Sequence, residues 1–367
     1  MIRQRDVEQT GSVTAVPAKR GDRRDGLVFL KEGGPRFELE DLLRASAEVL
    51  GSGNFGASYK ATPLDGNPMV VKRFKEMKGA GREDFNEHMR RLGRLSHPNL
   101  LPVVAYLYKK DEKLFVTEHM ANGSLAQILH GGARSGLPQL DWAARLRIVK
   151  GVARGLAYLY EELPMLTVPH GHLKSSNILL DDHFQPLLTD YALVPVMNQS
   201  HAAQLMVAFK SPERKQFGKS SKKSDVWCLG LLILEIVTGR PPSYDVKASA
   251  QAATASPEHE QKQKPSAGND LVGLVASTSE EEWLTTVVDG DLKYEDEADK
   301  EEAVKLIKIG MACCEGNVDS RWELKNAVDR IEELKGKERA DNEDNSFYSS
   351  LSDGAERDED FTNVAIH

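Results

Sequence analysis

The chain has 367 residues, a mass of 40.6 kDa and a formal net charge of −8, with 40% hydrophobic residues and 29 glycines. That length makes about two globular units at roughly 150 residues each, and the apolar content suffices for a packed core, which excludes a fully disordered chain, a collagen and a small disulfide scaffold. An acidic chain without a basic domain argues against a nucleic-acid partner. Its cysteines, Cys228, Cys313 and Cys314, make neither a disulfide framework nor a metal-site spacing, which fits a reducing compartment.

Residues 1–26 carry a net charge of +2 without hydrophobic periodicity, which predicts a disordered arm reaching to residue 36; MIRQRDVEQT has no apolar stretch of the signal-peptide kind. Leu39, Leu42 and Leu43 follow helical spacing after Pro35 and open the folded part with a short amphipathic helix. SYKATPL, PMVVKRF and KLFVTEHM read as strands. From Leu125 the pattern turns helical. Leu146, Ile148, Val149, Val152, Leu156 and Leu159 line one long helix, and DVWCLGLLILEIVTG is apolar nearly all round, as a buried helix is. Its longest apolar run, Leu229 to Val237, holds Glu235 and falls well short of the about 20 residues a membrane span needs. Residues 243–269, rich in Ala, Ser, Gln and Lys, predict a surface insert between two helices. The tail, residues 335–367, carries −6 from Gly336 onward, with Ser346, Tyr348, Ser349, Ser350 and Ser352 among the acids; a solvated segment and a docking or phosphorylated tail both fit. Strands first and helices later predict an α+β chain in two lobes, a small β-rich one and a larger helical one.

Gly51-Ser-Gly53-Asn-Phe-Gly56 is a G-x-G-x-x-G loop between apolar segments. Such glycines let backbone amides approach a polyphosphate, although the same pattern occurs in any tight turn. Sixteen residues after Gly56, Lys72 lies in a strand-like run from which a lysine can reach the α- and β-phosphates. His170-Gly-His-Leu-Lys-Ser-Ser-Asn177 follows, then Asp190-Tyr-Ala192, Ser211-Pro-Glu213, Ser224-Asp-Val-Trp227 and Arg321 in SRWEL. Each element is common; their order and spacing together are specific.

In that order the motifs resemble a eukaryotic protein kinase domain over residues 40–334. The stretches RFELEDLLRASAEVLGSGNFGASYKA, HMRRLGRLSHPNLLPVVAY and VPHGHLKSSNILLDDHFQPLLTDYAL are similar to the cytoplasmic part of plant leucine-rich-repeat receptor-like kinases, in particular the pollen receptor-like kinase group. The resemblance implies a small lobe over residues 37–121 and a large lobe over 122–334. It implies that Gly51, Gly53, Gly56 and Lys72 meet the phosphates of ATP, that Thr117 is the gatekeeper and that backbone atoms of Glu118 and Met120 hold adenine. His172, Lys174 and Asn177 fall on catalytic-loop positions, and Asn177 and Asp190 on those of Mg²⁺ ligands. Glu213 and Arg321 would form a buried ion pair, and Asp225 would brace the catalytic loop. The resemblance further implies an ectodomain and a membrane span, neither of which is in this sequence, so the chain reads either as part of a receptor or as a soluble cytoplasmic relative. It also implies a place on the cytoplasmic side of the plasma membrane, with exchange factors for plant Rho-type GTPases and co-receptor kinases as partners.

The chain departs from that pattern where phosphate is transferred. The family's H-R-D-L-K-x-x-N has Gly171 at its arginine and His172 at its aspartate. That aspartate orients the substrate hydroxyl and accepts its proton, and losing a positioned base costs about 10²–10⁴ in rate. His88 falls where a glutamate would clamp Lys72, while Glu87 points about 100° around the helix. Ala192 replaces the glycine of the D-F-G motif. The segment from Asp190 to Glu213 has Ser200 and Ser211 but no threonine, and Gly171 removes the arginine that would receive an activating phosphate. The pattern predicts a pseudokinase that binds ATP and signals through partners; the alternative is a weakly active Ser/Thr kinase transferring the γ-phosphate of ATP to protein. His130, His183 and His201 read as ordinary surface or loop histidines, and Cys313-Cys314 as core packing.

Overall fold

Six strands pair into one antiparallel sheet. They are β1 (Val28–Phe29), β2 (Ser46–Ser52), β3 (Gly56–Thr62), β4 (Met69–Phe74), β5 (Ala105–Tyr108) and β6 (Lys113–Glu118), in spatial order β1-β5-β6-β4-β3-β2. The computed structural model describes residues 26–31 and 37–335, apart from 54, 64–65, 76, 78, 132–138 and 243–269. The insert, the acidic tail and most of the N-terminal arm therefore lie outside the described residues.

Part of the expected arm belongs to the sheet. Val28 pairs with Tyr106 and Phe29 with Ala105, and Phe29 meets Phe37 edge-to-face at 5.2 Å. Leu27, Phe29 and Phe37 pack on a small cluster of Leu42, Ala61, Met69, Ala105 and Val116. The charge of residues 1–26 hides the apolar Leu27-Val-Phe-Leu30 that follows it, and it is this burial that seats β1. Helix α1 (Leu39–Arg44) is closed by a reciprocal cap between Glu38 and Asp41. Leu42 is buried against the sheet, while Leu43 is 75% exposed. On the opposite face, α2 (Arg82–Arg94) buries Phe85, Met89 and Leu92, one helical stripe, against Tyr106 and Phe115.

The helical lobe comprises α3 (Leu125–His130), α4 (Trp142–Glu162), α5 (Gln199–Leu205), α6 (Pro212–Phe217), α7 (Lys223–Thr238), α8 (Leu271–Ala276), α9 (Glu297–Cys313) and α10 (Leu324–Glu332), with a two-stranded ribbon of β7 (Ile178–Leu180) and β8 (Pro186–Leu188). Buried on nearly every side, α7 is the axis on which the others pack. Cys228, Cys313 and Cys314 are all buried free thiols, and burial pushes Cys313 up to about 12, so they pack rather than react. Among the described residues no helix is long and apolar enough to cross a membrane.

Two buried contacts fix the large lobe. Arg321 and Glu213 pair at 2.9 Å with essentially no exposure. Burial works against the Glu213 charge, but the Ser224 hydroxyl at 2.5 Å and Arg321 outweigh it and hold the carboxyl below its ordinary range. Asp225 accepts the backbone N–H groups of His170 at 2.9 Å and Gly171 at 2.8 Å, and so anchors the loop between α4 and β7 to the central helix.

Candidate functional site

Between sheet and helices lies a cleft of about 950 Å³. Its roof is the turn joining β2 to β3, where Gly53 N–H donates to Gly56 O at 2.8 Å and Gly56 N–H returns to Gly53 O at 3.3 Å. A bulge between Val49 and Gly51 turns β2 into this loop. At Gly56, φ is +153° and a Cβ would lie 2.0 Å from the Arg73 carbonyl oxygen, so only glycine lets β3 close on β4; Gly51 and Gly53 have open space around them. Lys72 on β4 reaches across the cleft and pairs with Asp190. Phe55, also from the glycine loop, turns inward. It meets Phe74 edge-to-face at 5.5 Å, lies 5.3 Å from the Lys72 ammonium and stacks on His172 at 5.1 Å and 14°.

His88 lies on α2 where the sequence places it, but it does not leave α2 loose. Its Nε2 sits 2.7 Å from the carbonyl oxygen of Ala192. Burial pushes its pKa below the ordinary imidazole value, against the pull of that carbonyl, so the neutral ring donates Nε2–H to Ala192. Lys72 and His88 thus both engage the Asp190-Tyr191-Ala192 turn, one at a side chain and one at the backbone, in place of the lysine–glutamate pair that the kinase pattern implies. Asp190 and Ala192 hold φ of 58° and 55°, a conformation unfavourable for alanine.

The floor is the loop from His170 to Asn177. His172 is 4% exposed. Its Nδ1 accepts the Val207 N–H at 3.3 Å, which in a neutral ring places the proton on Nε2. Burial, then the charges of Lys174 and Lys72, keep its pKa well below the ordinary value. The ring therefore has no free lone pair to take a hydroxyl proton. Ala208 N–H donates to Gly171 O at 3.1 Å, so the segment after α5 lies directly on the loop. Asn177 is buried, with Nδ2 donating to His172 O at 2.9 Å, and both Asn177 and Lys174 line the cleft. Burial lowers the Lys174 pKa and the Asp190 carboxylate opposes it.

At the back edge the wall is Thr117, His119, Met120 and Ala121. Met120 stands where expected. Glu118 is exposed and does not form part of the wall, because strand alternation turns Thr117 inward and Glu118 out. The residues that pattern-reading missed are Phe55, His119 and Val207; an aromatic inside the glycine loop was a visible signal for the first, and the backbone N–H of Val207 has none. His130 also differs from its surface reading. Its Nε2 lies 2.8 Å from Glu235 Oε1, which accepts the Ser175 hydroxyl at 2.6 Å, so α3, the loop and α7 meet at one buried carboxylate. Of the two activation-segment serines, Ser200 is exposed and Ser211 fully buried.

Residues 45–285 match the family of protein tyrosine and serine/threonine kinases. The chain belongs to that family. It is 49% identical over 348 residues to a probable LRR receptor-like serine/threonine-protein kinase, and 49% identical over 341 residues to pollen receptor-like kinase 4, both of Arabidopsis thaliana. These matches cover 95% and 92% of the chain but 49% and 47% of the relatives, so the chain spans about half their length. Two solved structures share the two-lobed kinase fold at 26% identity. The pseudokinase domain of BIR2, an immune regulator of the RLK/Pelle family, superposes with a TM-score of 0.66, covering 86% of this chain and 91% of that one. The kinase domain of maize SIRK1 bound to AMP-PNP superposes with a TM-score of 0.67, covering 84% and 99%.

Proposed function

We propose that this protein kinase domain binds ATP and signals mainly by binding other proteins, with phosphotransfer at or near the floor of detection. One observation carries this: the residue at the catalytic-base position, His172, is buried, neutral and has its only acceptor nitrogen occupied by Val207. The cleft fits a nucleotide. The space around Gly51 and Gly53 lets backbone approach phosphates, Lys72 is at hand to neutralise them, and Met120 offers its backbone to a base. Glu118 would contribute through its backbone alone. Mg²⁺ fits less completely. Asp190 is engaged with Lys72, and among the described residues no group of three acidic, His or Cys side chains is placed to hold a metal. Asp190 and Asn177 would hold Mg²⁺ only together with oxygens of the phosphates. When bound, the ion would neutralise phosphate charge.

A weakly active kinase is the second reading, favoured by Lys72, Asn177 and Asp190 all facing one cleft. Lys174 would then steady the transferred phosphate. The likeness to pollen receptor-like kinases supports a role at the cytoplasmic face of the plasma membrane, with exchange factors for Rho-type GTPases and co-receptor kinases as partners. The deciding experiment measures ATP binding by thermal shift and radiolabel transfer to a generic basic substrate on the same preparation, with Asp190→Asn as the contamination control. A clear shift with negligible transfer is expected, together with a partial gain of transfer in His172→Asp. Robust transfer by the unmodified chain that Asp190→Asn abolishes and His172→Asp lowers would establish the second reading instead.

A further inference from the structure

We infer that Phe55 sets the nucleotide preference of the cleft, admitting a nucleoside diphosphate and resisting a triphosphate. The inference rests on the nucleotide-binding reading above. In that reading the glycine turn and Lys72 account for the first two phosphates. A third phosphate must lie beyond Lys72, toward the catalytic-loop residue that faces the transferred group. Here that residue is His172, and Phe55 occupies the path. Its ring centroid is 5.3 Å from Lys72 Nζ and stacked on His172 at 5.1 Å and 14°. Rings that close to parallel at this spacing are in van der Waals contact, and a phosphate cannot lie between them.

The plug is held at several points. Phe74 meets it edge-to-face at 5.5 Å. Lys75 ties the same turn down, with its N–H donating to Phe55 O at 3.4 Å and its ammonium to Gly53 O at 3.3 Å. An aspartate at position 172 would offer no face for Phe55 to stack on, so the substitution that withdraws a base also supplies the plug's seat. The adenine edge at Thr117, His119 and Met120 and the open space at Gly51 are clear of the ring. A third phosphate has to lever Phe55 off two aromatic partners and a cation, which weakens triphosphate binding by about tenfold relative to diphosphate.

The test is calorimetric titration of ADP and of ATP, both with Mg²⁺, into the full chain and into Phe55→Ala and His172→Ala. The unmodified chain should bind ADP about tenfold more tightly than ATP. In each variant the ratio should collapse through tighter ATP binding, with ADP affinity moving by less than about twofold. ATP binding as tightly as ADP or more so in the unmodified chain overturns the inference and leaves the nucleotide reading intact, as does a preference for ADP that neither variant alters. Absence of binding by both nucleotides refutes the nucleotide reading itself and the selectivity with it.

Discussion

On the sheet side of the cleft Lys72 reaches across to Asp190, and the glycine turn leaves room around Gly51 and Gly53. On the loop side Lys174 and Asn177 also line the cleft, but the residue at the base position is closed off. His172 is covered by Phe55 from above and bonded from behind by Val207. Both walls retain the backbone of a kinase and side chains that face the cleft, yet the lower one has no free base. Holding a charged ligand requires little more than opposite charge and amides in the right place. Moving a proton requires a free lone pair of suitable basicity at one point, and that requirement is the one the lower wall fails.

The largest test asks whether the lower wall is nonetheless built as rigidly as that of a working kinase. Arg321→Leu would strand the Glu213 carboxylate in the core and should cost about 3–5 kcal/mol, read from the urea midpoint. A loss below about 1 kcal/mol, the range of an exposed pair, would mean the platform is loose.

A second test uses pH. Burial lowers His170 to about 4 and raises Asp225, bonded to its N–H, to about 6. Between those values the unfolded chain carries the extra proton on His170, which makes stability rise with pH. The folded chain carries the extra proton on Asp225, which makes stability fall with pH, so the two slopes oppose each other. Asp225→Asn removes the falling one. Its stability should climb with pH more steeply than that of the unmodified chain by about 1.4 kcal/mol per pH unit across this window. Parallel profiles in urea titrations at pH 4.5, 5 and 5.5 would refute the opposition.

On the upper wall, Lys72→Met should remove most of the stabilisation that ATP confers, about 2.7 kcal/mol at a hundred times its Kd. An undiminished thermal shift would move the phosphates away from Lys72. The smallest effect expected is that of His88→Glu. It removes the bond to Ala192 O and should cost about 1 kcal/mol, without restoring phosphotransfer, because Lys72 already has Asp190 as its partner. A gain in both stability and transfer would show that Lys72 prefers the new glutamate.

The glycine loop, the strand lysine and the long helices were legible because each rests on a residue type at a fixed spacing; the Glu213–Arg321 pair was implied by the family resemblance alone. The Lys72–Asp190, His88–Ala192 and Phe55–His172 contacts were not, since each joins residues about a hundred positions apart through the packing of the lobes. The sequence told that a base was missing at position 172. It could not tell that a backbone N–H would fix the replacement's tautomer. Strand β1 escaped notice because two residues are too few for periodicity, and His130 because its partner Glu235 lies 105 positions away on another helix.

The brace at Asp225 holds the loop through amides of the main chain, those of His170 and Gly171. Such an anchor is indifferent to the side chains it supports. A loop fastened in this way can exchange an arginine for a glycine and an aspartate for a histidine and still be held to the same helix. The scaffold's shape and its reactivity are thereby separate properties, free to be kept or surrendered one at a time.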